Sequence, residues 1–298
     1  MQVVKAAQLT GHNAAIFALI EGPSERHIFT AAGDAWVVQW NLDEPDLGKL
    51  VAKVEAQVFA LCFLQQAQKI VAGNMNGGLH WIDLHDTVTT RNIAHHRGGV
   101  YDIKSVGEQV FTVGGDGRLS RWSVQEMRST ESYHLANQSL RCIDFSESRN
   151  ELAIGGSDGA IYLLDADSLE LRHVIRQAHG SSVFSVQYSP DTRHLLSGGR
   201  DAHLNVWDLA NDFSCISSQP AHWFTINSIA FSPDGRFFAT GSRDKTLKIW
   251  DASNFDLLKV LEGGRDGGHF NSVNKVLWLP SGLLSCSDDR TVIRWQIS

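Results

Sequence analysis

One twelve-residue string recurs seven times along this chain, and it constrains the fold more than any other feature. SGGRDAHLNVWD (197–208) aligns without gaps with TAAGDAWVVQWN (30–41), AGNMNGGLHWID (72–83) and TVGGDGRLSRWS (112–123). It aligns equally with IGGSDGAIYLLD (154–165), TGSRDKTLKIWD (240–251) and SCSDDRTVIRWQ (285–296). The penultimate position of each copy falls at residue 40, 82, 122, 164, 207, 250 or 295, a period of 40 to 45 residues. Such a period marks one supersecondary unit repeated, each copy burying its faces against its neighbours. The copies tile the chain from about residue 10 onward, so 1–298 reads as one repeat domain.

The sixth copy shows what the unit is. Ile226 to Phe231 is a short alternating apolar run, followed by Ser232-Pro233-Asp234-Gly235. Pro sets the first central dihedral of a turn, and Asp and Gly tolerate the rest. Residues 237–240 make a second strand, 241–245 a tight turn, 246–250 a third strand and 257–261 a fourth. Four short antiparallel strands without helical periodicity read as one blade of a β-propeller.

With His222, Thr240, Asp244 and Trp250 in view, the repeat resembles the WD-repeat family. That pattern has a His near the repeat start, a Ser or Thr ending the second strand, an Asp in the next turn, and Trp-Asp closing the third. The resemblance covers nearly the whole chain. It implies an all-β, seven-bladed β-propeller with four antiparallel strands per blade, lettered a to d outward from a central channel. The last copy has no fourth strand after Trp295, whereas residues 3–9 precede Gly11-His12 as a d strand does elsewhere. Residues 3–9 are therefore expected to supply the outer strand of blade 7 and close the ring, sparing it an unpaired edge.

Five copies hold a full hydroxyl, imidazole, carboxylate and indole set. The first is His12, Thr30, Asp34 and Trp40, and the second is His96, Thr112, Asp116 and Trp122. The others are His179, Ser197, Asp201 and Trp207; His222, Thr240, Asp244 and Trp250; and His269, Ser285, Asp289 and Trp295. These are the ingredients of an acyl-transfer triad, but a nucleophile also needs an oxyanion site and substrate access. A buried relay explains the fivefold repetition better: indole to hydroxyl, hydroxyl to imidazole, imidazole to carboxylate. Copies 2 and 4 carry Val54, Ala72, Asn76 and Ile82, and Ala136, Ile154, Asp158 and Leu164, having lost His, hydroxyl and Trp together. Losing one member strands a buried polar partner at about 1–3 kcal/mol, while losing all of them is nearly neutral. The tetrads are thus expected to be structural, with no catalytic residue among them.

Composition excludes more than it identifies. The net charge is −7 and no block of Lys or Arg appears, which argues against a nucleic-acid partner. No apolar stretch is long enough to span a membrane, and the N-terminal MQVVKAAQLT lacks the layout of a signal peptide. Cys62, Cys142, Cys215 and Cys286 fall singly in four repeats and are expected to be small buried side chains in a reducing cytoplasm. GGRDGG (263–268) lacks the Gly-Lys-Ser/Thr of a phosphate loop and reads as a long mobile loop. His85, His194 and His203 are scattered, and His95 neighbours a His already assigned to its tetrad, so neither metal nor cofactor is expected.

In the family the loops entering strand a and the b–c turns form the top face, where partners usually bind. Three positions per repeat point there. The fifth residues after the His position are Phe17, Phe59, Tyr101, Arg141, Phe184, Asn227 and Asn274. The residues before the turn Asp include Met75, Arg200 and Arg243, and the third residues, such as Ala15, Gln57 and Thr225, are small or polar. Aromatics and Arg are enriched at binding hot spots. Phe17, Phe59, Met75, Tyr101, Arg141, Phe184, Arg200, Asn227, Arg243 and Asn274 are accordingly the candidate partner-binding set. Its expected partner is a protein or peptide with an apolar anchor beside an acidic or phosphorylated group. Two alternatives stay open: the aromatics plug the channel, or the propeller is a hydrolase- or lactonase-type enzyme with chemistry at its channel.

Overall fold

The computed structural model describes residues 1–86 and 90–298. It forms seven four-stranded antiparallel sheets, each running in chain order from the innermost strand to the outermost, except in the last blade. Blade 1, for example, comprises Ile16–Glu21, His27–Ala32, Trp36–Asn41 and Gly48–Lys53. The second strand of every blade is almost wholly buried, because neighbouring blades cover both its faces; its residues are accordingly continuous apolar or small runs such as HIFTAA and HLLSGG. The outermost strands are exposed, as in Arg128–His134.

The core lies between blades. Each apolar cluster mixes residues of two neighbours: Leu9, Ile16 and Trp40 pack with Leu284 and Val292 across the seam of blades 7 and 1. Ala153 and Leu163 pack with Leu195 and Trp207 across blades 4 and 5. A blade cannot bury its faces alone, which is why the unit repeats.

The ring is closed by strand Val3–Thr10, which pairs antiparallel with Thr291–Ile297 from Val3↔Ile297 to Thr10↔Thr291. Backbone bonds of 2.8 and 3.0 Å between Gln2 and Ser298 extend the ladder.

The turn after each second strand repeats in detail. The residue following the turn Asp or Asn has positive φ in all seven copies: Ala35, Gly77, Gly117, Gly159, Ala202, Lys245 and Arg290. Only glycine adopts this conformation freely. Glycine is obligatory at residue 117, where a Cβ would lie 1.9 Å from the Ala136 carbonyl oxygen. The copies with a non-glycine residue there hold the strained backbone with the Asp: Asp34 accepts the Trp36 N–H at 3.0 Å, and Asp244 that of Thr246 at 2.9 Å.

Two expectations are corrected. GGRDGG is not a long loop: Gly263–Asp266 forms a helical turn ended by left-handed Gly267, with the Asp266 carboxylate accepting the Glu262 N–H at 3.1 Å. Cys62, Cys142 and Cys286 are buried, but Cys215 is exposed because it sits on outermost strand Ser214–Pro220.

Candidate binding site at the channel mouth

The tetrads make the frame that carries the top face. In blade 1 the Trp40 indole donates to Thr30 Oγ1 at 2.8 Å, His12 Nε2 meets that hydroxyl at 2.8 Å, and His12 Nδ1 lies 2.9 Å from Asp34. In blade 3 Trp122 donates to Thr112 Oγ1 at 3.0 Å, and His96 bridges Thr112 and Asp116, each at 2.9 Å. Blade 5 joins Trp207 to Ser197 at 2.9 Å, with His179 2.8 Å from Ser197 and 2.9 Å from Asp201. Blade 6 joins Trp250 to Thr240 at 2.9 Å, with His222 2.7 Å from Thr240 and 2.9 Å from Asp244. In blade 7 Trp295 donates to Ser285 Oγ at 3.0 Å, and His269 lies 2.9 Å from Ser285 and 2.8 Å from Asp289. Each Asp also accepts the N–H of the residue after its His, as at Gly180 (2.8 Å), so strands b and c and the loop entering strand a are tied together.

Burial separates these residues from any surface chemistry. Thr112, Trp122 and Ser285, singled out in the sequence with their tetrads, are wholly buried and lie apart from the channel mouth. Thr30, Ser197 and Thr240 are equally closed to solvent. A triad nucleophile needs substrate access, and no tetrad hydroxyl has it.

Burial drives the His12 and His222 imidazoles below their ordinary value, against the pull of Asp34 and Asp244. A neutral ring then donates from Nδ1 to the carboxylate and accepts the hydroxyl proton at Nε2. Burial pushes the Asp201 and Asp289 carboxyls up, but hydrogen bonds and charge from His179 and His269 outweigh it and hold both at about 2.

The two shifts act in the same sense. Below the ordinary histidine value of 6.5 the unfolded chain binds protons that folded His12 and His222 refuse. Stability is therefore lost as pH falls from there. The carboxylate contribution is present above the ordinary value of 3.8 and is lost as pH falls toward about 2. Urea midpoints are expected to fall from about pH 6.5 downward, more steeply below about pH 4. His222→Gln is expected to flatten the upper part of that profile.

Blades 2 and 4 use other polar contacts. In blade 2 Asn74 and His80 each lie 3.1 Å from the Glu55 carboxylate, and in blade 4 the Tyr162 hydroxyl donates to Asp158. The Glu55 cluster was missed in the sequence because none of its members occupies a tetrad position.

On the top face a repeated backbone bond joins two of the three selected positions. The residue before the turn Asp or Asn donates its N–H to the carbonyl of the third residue after the His position: Gly33 to Ala15, Met75 to Gln57, Arg243 to Thr225, and so on through all seven blades at 2.8–3.0 Å. The fifth-residue position has its own device. Every first strand slips register by one residue near the top, between Ile16 and Ala18, Val58 and Ala60, Val100 and Asp102, Leu140 and Cys142, Val183 and Ser185, Ile226 and Ser228, and Val273 and Lys275. The skipped residues are Phe17, Phe59, Tyr101, Arg141, Phe184, Asn227 and Asn274. A bulge leaves its extra residue unpaired and re-aims the side chain.

All seven line one cavity of about 270 Å³ at the channel mouth, together with Asp102 and Lys275. Phe17 meets Phe59 edge-on at 5.2 Å, and Phe59 stacks on Tyr101 at 5.9 Å. The Arg141 guanidinium lies 4.2 Å from the Tyr101 ring centre and 5.4 Å from that of Phe184, extending the arc by cation–π contact. Asn227 donates to Ser272 Oγ and the Val273 carbonyl at 3.0 and 2.9 Å. Asn274 donates to the Ile16 carbonyl and Asp288 at 2.9 and 2.7 Å, so both amides staple neighbouring blades.

The expected basic arc divides. Arg141 is half-buried, sandwiched by the aromatics and held to Ser157 Oγ at 2.9 Å, so it belongs to the floor. Arg200, Arg243 and Met75 stand exposed on the b–c turns around it.

Below the mouth lies a cavity of about 430 Å³ with charges that the sequence reading missed. Lys104 pairs with buried Asp144 at 2.6 Å, and Lys275 lies 4.0 Å from Asp102. Asp144 also accepts the Gln187 amide (2.7 Å) and the Tyr188 N–H (2.9 Å), while Asp102 accepts the Ile143 N–H at 3.1 Å. The attraction of Asp144 raises the Lys104 pKa, so the ammonium holds its charge. The available signal was a charge in an otherwise apolar first strand, as in VYDIKSV and VNKVLWL.

Fold and site together define a closed β-propeller whose inner strands present a bulged ring of side chains at one end of the channel. The chain carries WD repeats: the family model "WD domain, G-beta repeat" matches residues 170–208, 213–251 and 257–296. It is 30% identical over 146 residues to WD repeat-containing protein 90 of Xenopus tropicalis, covering 46% of this chain and 8% of that protein. It is 24% identical over 180 residues to the guanine nucleotide-binding protein subunit beta of Saccharomyces cerevisiae, covering 60% of this chain and 42% of that one. The chain spans less than half the length of these relatives. The crystal structure of the WD40 beta propeller domain of Doa1 superposes with a TM-score of 0.86 at 18% identity, over 99% of this chain and 97% of that one. That likeness shows the fold. Among the described residues no helix is long and apolar enough to cross a membrane.

Proposed function

We propose that this chain is a non-catalytic scaffold that holds a protein or peptide on the top face of its propeller, at the channel mouth. One observation carries the reading: seven separate bulges turn seven side chains into a single cavity of about 270 Å³. The occupant is a segment whose apolar anchor enters between Phe17, Phe59, Tyr101 and Phe184. An acidic or phosphorylated group beside the anchor pairs with Arg200 and Arg243, whose planar forks suit carboxylate and phosphate. Asn227, Asn274 and Arg141 act within this site as a rigid rim, their donors being engaged by neighbouring blades or Ser157.

Two further points support the proposal. The yeast relative is, by its name, a subunit of a guanine nucleotide-binding protein, and a role within an assembly is carried to this chain as part of the proposal. The four cysteines are free thiols, which suits a reducing compartment such as the cytoplasm.

Once a partner has been recovered by pull-down from the native cell, it is titrated against wild type, Phe59→Ala, Arg200→Ala and a control, Arg236→Ala. Truncating a hot spot removes about 2 kcal/mol or more, so the first two variants are expected to bind more than tenfold more weakly. The control is expected to bind as wild type. Folded top-face variants that bind as tightly as wild type would leave the aromatics as a channel plug only.

A further inference from the structure

We propose that blades 6 and 7 carry a second docking surface, on the outer rim of the top face, for a short peptide segment combining aromatic or aliphatic side chains with Asp or Glu. Trp223 is 87% exposed, Phe224 59% and Phe270 68%. Trp223 and Phe270 both directly follow a tetrad His, and the other five copies hold Asn13, Glu55, Arg97, Asn137 and Gly180 there. Only these two adjacent blades turn aromatics outward at that position.

The aromatics stand on a rigid base. The Trp223 N–H donates to Asp244 at 3.0 Å and the Phe270 N–H to Asp289 at 3.2 Å, while the Phe224 carbonyl accepts the Ser242 hydroxyl at 3.1 Å. Phe270 also lies against Gly263, where a Cβ would come within 3.1 Å of its ring, at the helical turn between blades 6 and 7. Large aromatics held in water by a fixed backbone are ready-made anchors that lose little freedom on binding. Exposed apolar groups gathered in one sector mark an interaction site, whereas scattered ones do not.

Charge identifies the occupant. Arg243 is joined to the Trp223 loop through its N–H, 2.9 Å from the Thr225 carbonyl. Lys245 follows in the same turn, Arg290 takes the equivalent place in blade 7, and Arg200 lies on the top turn of blade 5. These four cations are exposed, and among the described residues none forms an ion pair. Of the acids around them, Asp244 and Asp289 face inward to His222 and His269, with side chains only 4% and 15% exposed, Asp288 accepts the Asn274 amide, and Glu262 pairs with Arg265. On a chain of net charge −7, this sector is locally cationic and apolar. Three of its four cations are arginines, which match carboxylates bidentately; a lipid surface would be served equally by lysines.

The surface adjoins the channel mouth and shares Arg200 and Arg243 with it, so Trp223→Ala and Phe59→Ala are the variants that keep the two separate. A random-peptide display library is selected on the full chain, and recovered peptides are titrated against wild type, Trp223→Ala, Arg243→Ala and Phe59→Ala. The substituted rim side chains are exposed, and an unchanged melting temperature verifies folding. Trp223 reports directly: the other eight tryptophans are buried or half-buried, so its emission should shift to the blue on binding.

Recovered peptides are expected to combine apolar residues with Asp or Glu and to weaken as salt rises. They should lose more than tenfold affinity on Trp223→Ala or Arg243→Ala while ignoring Phe59→Ala. The proposal is overturned if no peptide distinguishes Trp223→Ala from wild type. It is equally overturned if every selected peptide depends on Phe59, or if Trp223 shifts only with phosphatidylserine vesicles. None of these results alters the outcome at the channel mouth.

Discussion

A chain lacking residues 1–9 is expected to melt far below the intact protein and to self-associate. Strand Val3–Thr10 is the outer strand of blade 7, and its partner Thr291–Ile297 would be left with an open ladder. Leu9 is 1% exposed and packs at the seam of blades 7 and 1; Val3 is 7% exposed and packs on Trp295 and Leu247. Exposing two such side chains removes about 3–6 kcal/mol, before any backbone bond is counted. Against a typical total of about 5–15 kcal/mol that is a large fraction. At about 2–4 °C per kcal/mol for a chain of this size class, the melting temperature should fall by roughly 10 °C or more. The bared edge is a template for strand addition, so size-exclusion chromatography should show oligomers. A monomeric truncated chain with an unchanged calorimetric transition would mean that the ring holds without this strand.

The fold was legible because the repeat states it seven times. The strands read at Ile226 to Phe231 and at 257–261 coincide with Ile226–Phe231 and Leu257–Leu261. A single copy, such as IGGSDGAIYLLD without His or Trp, would have carried little of this. What stayed hidden was non-periodic. The Gly263–Asp266 helical turn occurs once, and its stability depends on the Asp266 carboxylate reaching back to the Glu262 N–H, which no pattern of apolar residues encodes.

The ring of side chains at the channel mouth was legible in position but not in detail. Counting five residues from the His position found the seven side chains that line the mouth, because the same bulge recurs in every blade. It did not reveal that Arg141 would lie over Tyr101 rather than join Arg200 and Arg243. That depends on Ser157 Oγ, 2.9 Å from its Nε, and on aromatic neighbours from two other blades. Trp223 and Phe270 were passed over because they stand just outside the three positions chosen per repeat. Their significance lies in exposure, which sequence does not give.

The tetrads should behave as structural units, which a stability experiment can test. In His222→Ala, Thr240 Oγ1 loses its imidazole partner and Asp244 loses the ring N–H 2.9 Å away. Each stranded group contributes about 1–3 kcal/mol of destabilisation. Asp244 keeps the Trp223 and Thr246 N–H donors but loses its imidazole partner on a side chain only 4% exposed, where an unpaired carboxylate oxygen is costly. Trp207→Phe, which removes the 2.9 Å bond to Ser197 Oγ, should cost about 1–3 kcal/mol. Ile82→Val, in a blade without the relay, should lose only about 0.5–1.5 kcal/mol, the effect of one methylene. The combination His222→Ala with Thr240→Val discriminates further. With the hydroxyl gone, one stranded group disappears, so the double variant should be less destabilised than the sum of the singles. Urea midpoints for these variants and the wild type decide the matter. Strict additivity, or a loss at Ile82→Val as large as at His222→Ala, would show that the imidazole and hydroxyl do not act as one buried relay.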